Sequence, residues 1–348
     1  MLRKLLSVTS ILILSFFSVK AQDSTGKLTI SGSVDAYYRF NFLNAKDSGH
    51  YNNKTSFTNS QNSFELGMAS IKAEYAIGKV SAVADLGFGT RAAEFSYNDA
   101  GTLAAVKQAY ITYAPSDKVK FTMGKWATHV GYELLDAYLN RNYSMSYMFS
   151  YGPFSHTGLK ADFTLGEGFG AMIGVANPTD FVSAPFAKKN LIAQVSKTSE
   201  KVNAYLNYVV GKDLGDNLIN QVGLTATIAV AEKFGIGYDG TIKSFKDGVS
   251  NTKSSWWGSA LYLNIDPSST FGLTARGEYF GDKDGLAGFG TGIFNGTLSA
   301  NIHVGNLTII PEFRVDAAKD PVFYKNSDLT APSSKTSGQF ILAATYHF

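Results

Sequence analysis

Ser337-Gly338-Gln339-Phe340-Ile341-Leu342-Ala343-Ala344-Thr345-Tyr346-His347-Phe348 closes the chain. As an extended strand it places Phe340, Leu342, Ala344, Tyr346 and Phe348 on one face. Gln339, Thr345 and His347 share the other with Ile341 and Ala343, because successive strand side chains point to opposite faces. One such strand would suit any half-buried sheet. The fold turns on whether the rest of the chain repeats the pattern, and on what could cover its apolar face.

The repeat runs from end to end. Leu28, Ile30, Val34, Ala36, Tyr38, Phe40 and Phe42 alternate with Thr29, Ser31, Ser33, Asp35, Arg39 and Asn41. A second strand begins with Phe64, Leu66 and Met68 on its apolar face, then switches phase to Ile71, Ala73, Tyr75 and Ile77. That slip predicts a bulge near Ala69–Ser70. Gly78-Lys79 turns into a third strand, with Val80, Ala82, Ala84, Leu86 and Phe88 opposite Asp85 and Arg91. A fourth, about Leu103–Tyr113, has no assignable facing. A fifth sets Val119, Phe121 and Met123 against Lys120, Thr122 and Gly124.

The longest connection follows, about Ala127–Ser155, and Tyr132–Asn140 within it has the makings of a short helix. Beyond it, Leu159, Ala161, Phe163 and Leu165 alternate with Lys160, Asp162 and Thr164. Further strands are expected at 169–175, 189–196, 201–211, 218–231, 233–244, 255–265, 270–280, 291–304 and 307–318. Short links alternate with long ones throughout. With the terminal strand this makes about sixteen, an even number. Seven of the eight prolines fall in connections, and Pro311 predicts a bulge or a lost ladder bond. Aromatics gather at strand ends. Phe169, Phe234 and Phe271 follow short turns, while Phe40, Phe42, Trp126, Trp256, Trp257 and Tyr279 adjoin long loops, the two bands that aromatic girdles at both membrane interfaces would leave in a sequence.

No helical segment is available to cover so many one-sided strands, and their second face is persistently Gly, Ser, Thr, Asn and charge. A soluble sandwich would need apolar residues on both faces of its central strands. Lipid resolves the difficulty, since a closed barrel pairs every backbone group and turns its apolar exterior to the bilayer. The expected fold is all-β: a single closed antiparallel transmembrane barrel over 22–348, with short periplasmic turns and longer extracellular loops.

Composition agrees. The chain has 348 residues, of which 17% are charged, and no cysteine, which excludes disulfides, thiolate metal sites and cysteine nucleophiles. Arg3 and Lys4 precede an apolar run to Val19, and Val19-Lys20-Ala21 has the small residues of a cleavage site. Residues 1–21 therefore read as a cleaved secretory signal peptide. Its removal takes three of the 31 basic residues and none of the 28 acidic ones. The mature chain is then neutral, and a nucleic-acid partner is excluded for want of a positive field.

Four stretches stand out: Ser33-Val34-Asp35-Ala36-Tyr37-Tyr38, Asn140-Arg141-Asn142-Tyr143-Ser144, Ser155-His156-Thr157-Gly158 and the terminal Tyr346-His347-Phe348. In these motifs the whole mature chain resembles the OmpL-like β-barrel porin-2 family of Bacteroidota outer membranes. The resemblance implies insertion into the cell outer membrane of a Gram-negative bacterium by the barrel assembly machinery, which reads a terminal aromatic strand. Tyr346 and Phe348 would be that signal.

The functional surface should be the lumen. Asp35, Arg39, Lys72, Glu74, Asp85, Arg91, Lys160, Asp162, Arg276, Glu278, Glu312, Arg314 and Asp316 occupy the polar face, where charge escapes hydrocarbon. They would set the field for small hydrophilic solutes in an aqueous pore, or else form cross-strand ion pairs. Glu133, Asp136 and Arg141 are constriction candidates if the longest loop folds inward, as one long loop does in the porins the chain resembles. The other choice is an exposed cap loop. Ser299, Asn301 and His303 share one strand face, but residues two apart already stand about 6.6 Å apart, too far for a nucleophile–base bond. His129 and His156 alone are a weak metal signature. The expectation is a passive diffusion channel, not an enzyme, with no cofactor and no metal. The alternative is a non-conducting barrel that binds a partner or glycan. Trimers are common among barrels of this size, and no patch in the sequence demands one.

Overall fold

The computed structural model describes residues 25–46 and 52–348; the signal peptide expected at 1–21 lies outside them. Sixteen strands close into one antiparallel barrel in simple sequential order. They are β1 (Lys27–Asn41), β2 (Ser63–Ile77), β3 (Val80–Phe88), β4 (Val106–Ser116), β5 (Val119–Ala127), β6 (Ser155–Gly166), β7 (Phe169–Ala176) and β8 (Asn190–Thr198). The second half comprises β9 (Val202–Lys212), β10 (Leu218–Ala231), β11 (Phe234–Lys246), β12 (Lys253–Ser268), β13 (Phe271–Gly281), β14 (Gly292–Val304), β15 (Leu307–Ala318) and β16 (Thr336–His347).

The terminal strand closes the ring. β16 pairs with β1 from Ser33 opposite His347 to Asn41 opposite Gln339. Gly32 and Phe348 exchange backbone hydrogen bonds of 3.0 Å at the end. Closure removes both sheet edges, so no ladder is left open to lipid. Leu28, Ile30, Leu342, Tyr346 and Phe348 stand exposed on the outside, as do Phe64, Ile111 and Phe313 elsewhere. An apolar exterior of this extent suits hydrocarbon and not water. Short turns, such as Gly78-Lys79 with Gly78 at φ +56°, gather at one end of the barrel and the long loops at the other.

Local irregularities re-aim specific side chains. The bulge expected near Ala69–Ser70 lies at Gly67, since Asp35 pairs with Met68 while Ala36 pairs with Leu66. Met68 consequently points inward and is buried, not outward with Leu66. A side chain at Gly67 would run into the Asp35 carboxylate, which is why glycine takes the extra position. A second bulge, at Lys107, separates the Asp85–Gln108 and Leu86–Val106 pairs. It sends Lys107 into the lumen while Ile111 and Tyr113 face out. Opposite Pro311 the β14–β15 ladder lapses between Ser299–Glu312 and Ile302–Ile309, then resumes in register, as a residue without an N–H requires.

Three expectations are corrected. Trp126 and Trp256 are buried inside the barrel, Trp256 against Phe280, so the outer aromatic band there rests on residues such as Trp257 and Tyr279. Arg91 is not on a strand but on α1 (Thr90–Phe95), a short helix after β3. Tyr132–Asn140 holds only a 3-10 turn, Ala137–Leu139. The helix lies further on, as α2 (Tyr147–Tyr151), where the Ser146 hydroxyl caps the Phe149 N–H.

Candidate functional site

The chain between β5 and β6 descends into the lumen instead of capping it. Irregular backbone inside a barrel leaves many N–H and C=O groups without ladder partners, and each must be satisfied or pay desolvation. Wall carboxylates meet that need. Glu312 accepts from the N–H groups of Tyr143 (2.7 Å) and Ser144 (3.1 Å). Glu278 accepts from those of Tyr147 and Met148, each at 3.0 Å. Arginines take the carbonyls: Arg276 donates to Ser144 O (2.8 Å) and Arg314 to Met145 O (2.7 Å). Charge-assisted bonds of this kind are worth roughly 1.5–3 kcal/mol each. Tyr143 and Tyr147 complete the seam by donating their hydroxyls to Asp35 (2.5 Å) and Asp316 (3.2 Å). Burial raises both phenols well above their ordinary values, with the neighbouring carboxylates adding to it, so both remain donors.

The charged residues expected along the lumen fall into two groups. Asp35, Arg39, Asp85, Arg91, Arg276, Glu278, Glu312, Arg314 and Asp316 are buried. Most are joined to the loop, to α1 or to each other, and Asp85 is held by Lys107 and Gln108. Arg91 stands 3.7 Å from Asp35 and donates to Leu135 O, and Arg39 donates to Gln339 and Ser60. Near the short-turn end the rest stay partly open: Lys72 and Glu74 are 31% and 43% exposed in a 3.0 Å pair. Lys160 and Asp162 form another, at 3.1 Å.

The constriction candidates are each matched by an opposite charge. Glu133 meets Arg276 at 2.5 Å, Asp136 meets Lys107 at 2.5 Å, and Arg141 grips Asp266 with both terminal nitrogens at 2.5 and 3.1 Å. Each charge the loop brings into the lumen is therefore paired where it stands. Ser299 is spoken for by Glu312 and Asn142 and His303 by Thr308, so they form no nucleophile–base pair. His129 and His156 do approach, with ring centroids 5.1 Å apart. Burial lowers His129 to about 4, leaving it neutral.

Free space remains on the side away from the charged seam. A cavity of about 410 Å³ lies between the loop (His129, Tyr132, Arg141, Asn142) and the wall at Gln194, Tyr205, Thr225 and Tyr262. A second, of about 290 Å³, adjoins it toward the short turns at Glu200, Lys201 and Glu232. The two share Tyr132, Arg141, Thr227 and Asn264. Toward the long loops the same wall is covered. Trp126 and Val130 pack on Ile192 and Val209, and Asp180 accepts from the Phe154 and Ser155 N–H groups at 2.8 and 2.7 Å.

Several of these residues are not legible in sequence. Lys107 depends on a bulge, and Lys125, which pairs with Asp99 at 2.9 Å, shares the parity of the exposed Phe121 and Met123 yet is buried. Tyr143 lies in the Asn140–Ser144 segment quoted above, the piece of loop that docks on Glu312. Tyr346 and Phe348 project outward at the short-turn end.

Solved structures share this architecture. The chain is similar to the anion-selective porin from Comamonas acidovorans (10% identity, TM-score 0.64, 93% of this chain and 100% of that one). It is similar to the outer membrane channel DcaP of Acinetobacter baumannii (10%, 0.61, 93% and 97%). It is also similar to a trimer form of OmpT, an outer membrane protein of Vibrio cholerae (11%, 0.60, 93% and 100%). At these identities the likeness is one of fold. Among curated protein sequences none matches. The family model described as "Putative beta-barrel porin-2, OmpL-like" matches residues 27–348, the entire barrel, and the chain belongs to that family.

Proposed function

We propose that this porin passes small hydrophilic solutes by diffusion through the gap between the 127–155 loop and the β8–β12 wall. The observation that carries it is the docking of the loop on Glu278 and Glu312, which fills one side of the lumen and leaves adjoining cavities on the other. Glu133, Asp136 and Arg141 act as anchors that fix the width of the gap. Because the charges nearest it are paired, selectivity among ions is weak, and the half-exposed Lys72–Glu74 and Lys160–Asp162 pairs shape only the wider mouth. No catalytic group or cofactor takes part.

The site of action is the outer membrane of a Gram-negative bacterium, reached after cleavage of a signal peptide near residue 21. The barrel assembly machinery inserts the chain there, with Tyr346 and Phe348 as its signal and the short turns on the periplasmic side. The trimer form of the Vibrio cholerae relative makes a homotrimer the assembly to test, by mass of the detergent-solubilised protein.

Reconstitution of folded, heat-modifiable protein in planar bilayers tests the proposal. Stepwise conductance with a reversal potential near zero in a salt gradient is expected. Absence of steps would favour a second reading, a barrel kept shut at its long-loop end, for which the cover of Trp126 and Val130 over β8 and β9 speaks.

A further inference from the structure

We infer that the 410 Å³ cavity is a binding site for a neutral saccharide of one or two rings. This deepens the channel reading by naming a solute class, and it rests on that reading only in needing the cavity to be reachable.

Charge is the first discriminator. The ionised groups at the cavity are cancelled where they stand, Arg141 by Asp266 and Glu133 by Arg276, and His129 is neutral at physiological pH. An ionic solute would lose its hydration here and gain no free counter-charge, which is unfavourable. Polarity is the second. Gln194, Thr225, Thr227 and Asn264 line the cavity with amide and hydroxyl groups. An apolar solute would displace their water without replacing its hydrogen bonds. A neutral solute with hydroxyls meets both conditions, since a hydroxyl both donates and accepts.

Shape is the third. Tyr132 and Tyr262 stack with centroids 4.2 Å apart at 25°, and Tyr205 stands on the facing wall among the lining residues. Aromatic rings offer broad apolar faces with a polar tip, which matches a sugar ring, apolar on its C–H faces and polar at its rim. The volume lies in the range of small-molecule sites. The adjoining cavity at the short-turn end gives a way in.

The test is saturation-transfer difference NMR on the full, folded barrel in detergent, with maltose and glucose as probes and phosphate and benzoate as ionic controls. A saturable maltose signal is expected, reduced at least fivefold by Tyr205→Ala. Thr227→Trp, which fills the cavity from the wall without touching the loop anchors, should have the same effect and covers the case in which Tyr205→Ala fails to fold. No saccharide signal, a signal indifferent to a folded variant, or saturable binding of the ions in its place would each overturn the inference. Bilayer recordings separate it from the channel reading. Conductance without saccharide binding removes the site and keeps the channel, whereas saccharide binding in a silent barrel removes the channel and keeps the site.

Discussion

Glu278 and Glu312 each hold two consecutive loop N–H groups from a strand more than a hundred residues away. Their alternation marks them as lumen-facing in the sequence. Their partners are invisible there, because a loop's descent leaves no period to read. Glu278→Ala removes two charge-assisted acceptors and leaves Arg276 less compensated, so the α2 end of the loop should lose about 2–4 kcal/mol of local stability. Hydrogen exchange should show faster exchange at Tyr147 and Met148 with the strand amides still protected; unchanged exchange there would refute the anchoring role. Phe348 lies at the other extreme, 58% exposed on the outer face and joined to the barrel through its backbone. Deleting it should reduce the yield of heat-modifiable barrel in cells while leaving the conductance of the assembled fraction unchanged. Normal assembly would show that the terminal aromatic is not a signal.

Strand positions were legible because lipid enforces alternation on every strand, and a single phase error would put charge in hydrocarbon. What escaped was local. The glycine bulge at Gly67 and the bulge at Lys107 each insert one residue, which reverses the facing expected of Met68 and turns Lys107 into the lumen. Arg91 continues the strand pattern in sequence but belongs to α1, since the sheet ends at Phe88. Loops follow no such rule, and the β7–β8 connection shows what holds them. Burial raises the Asp180 carboxyl to about 6 from 3.8, despite its bonds to Ser155, Phe154 and Tyr97. A value above that of the unfolded chain means that the native state binds the proton more tightly. The contribution of this group is therefore greatest below about pH 4 and is lost as pH rises through 6. Asp180→Asn should flatten the pH 4–8 dependence of exchange in residues 152–156; an unchanged slope would assign it to another group.

At the scale of the molecule, sixteen strands enclose a lumen wide enough for water, and the chain fills one side of it with its own loop. The charged residues conspicuous in the sequence mostly hold this loop, and the path for solutes is bordered by tyrosines, threonines and amides that alternation alone does not distinguish from any other lumen residue. Leu139, half-exposed on the loop and lining the larger cavity, stands on that path. The chain has no cysteine, so Leu139→Cys gives a single reactive position. Single-channel recording before and after a bulky cationic methanethiosulfonate is added is the most direct test of where solutes pass. A stepwise fall in current on modification is the predicted result. Undiminished current through a channel shown by mass spectrometry to be fully modified would contradict it.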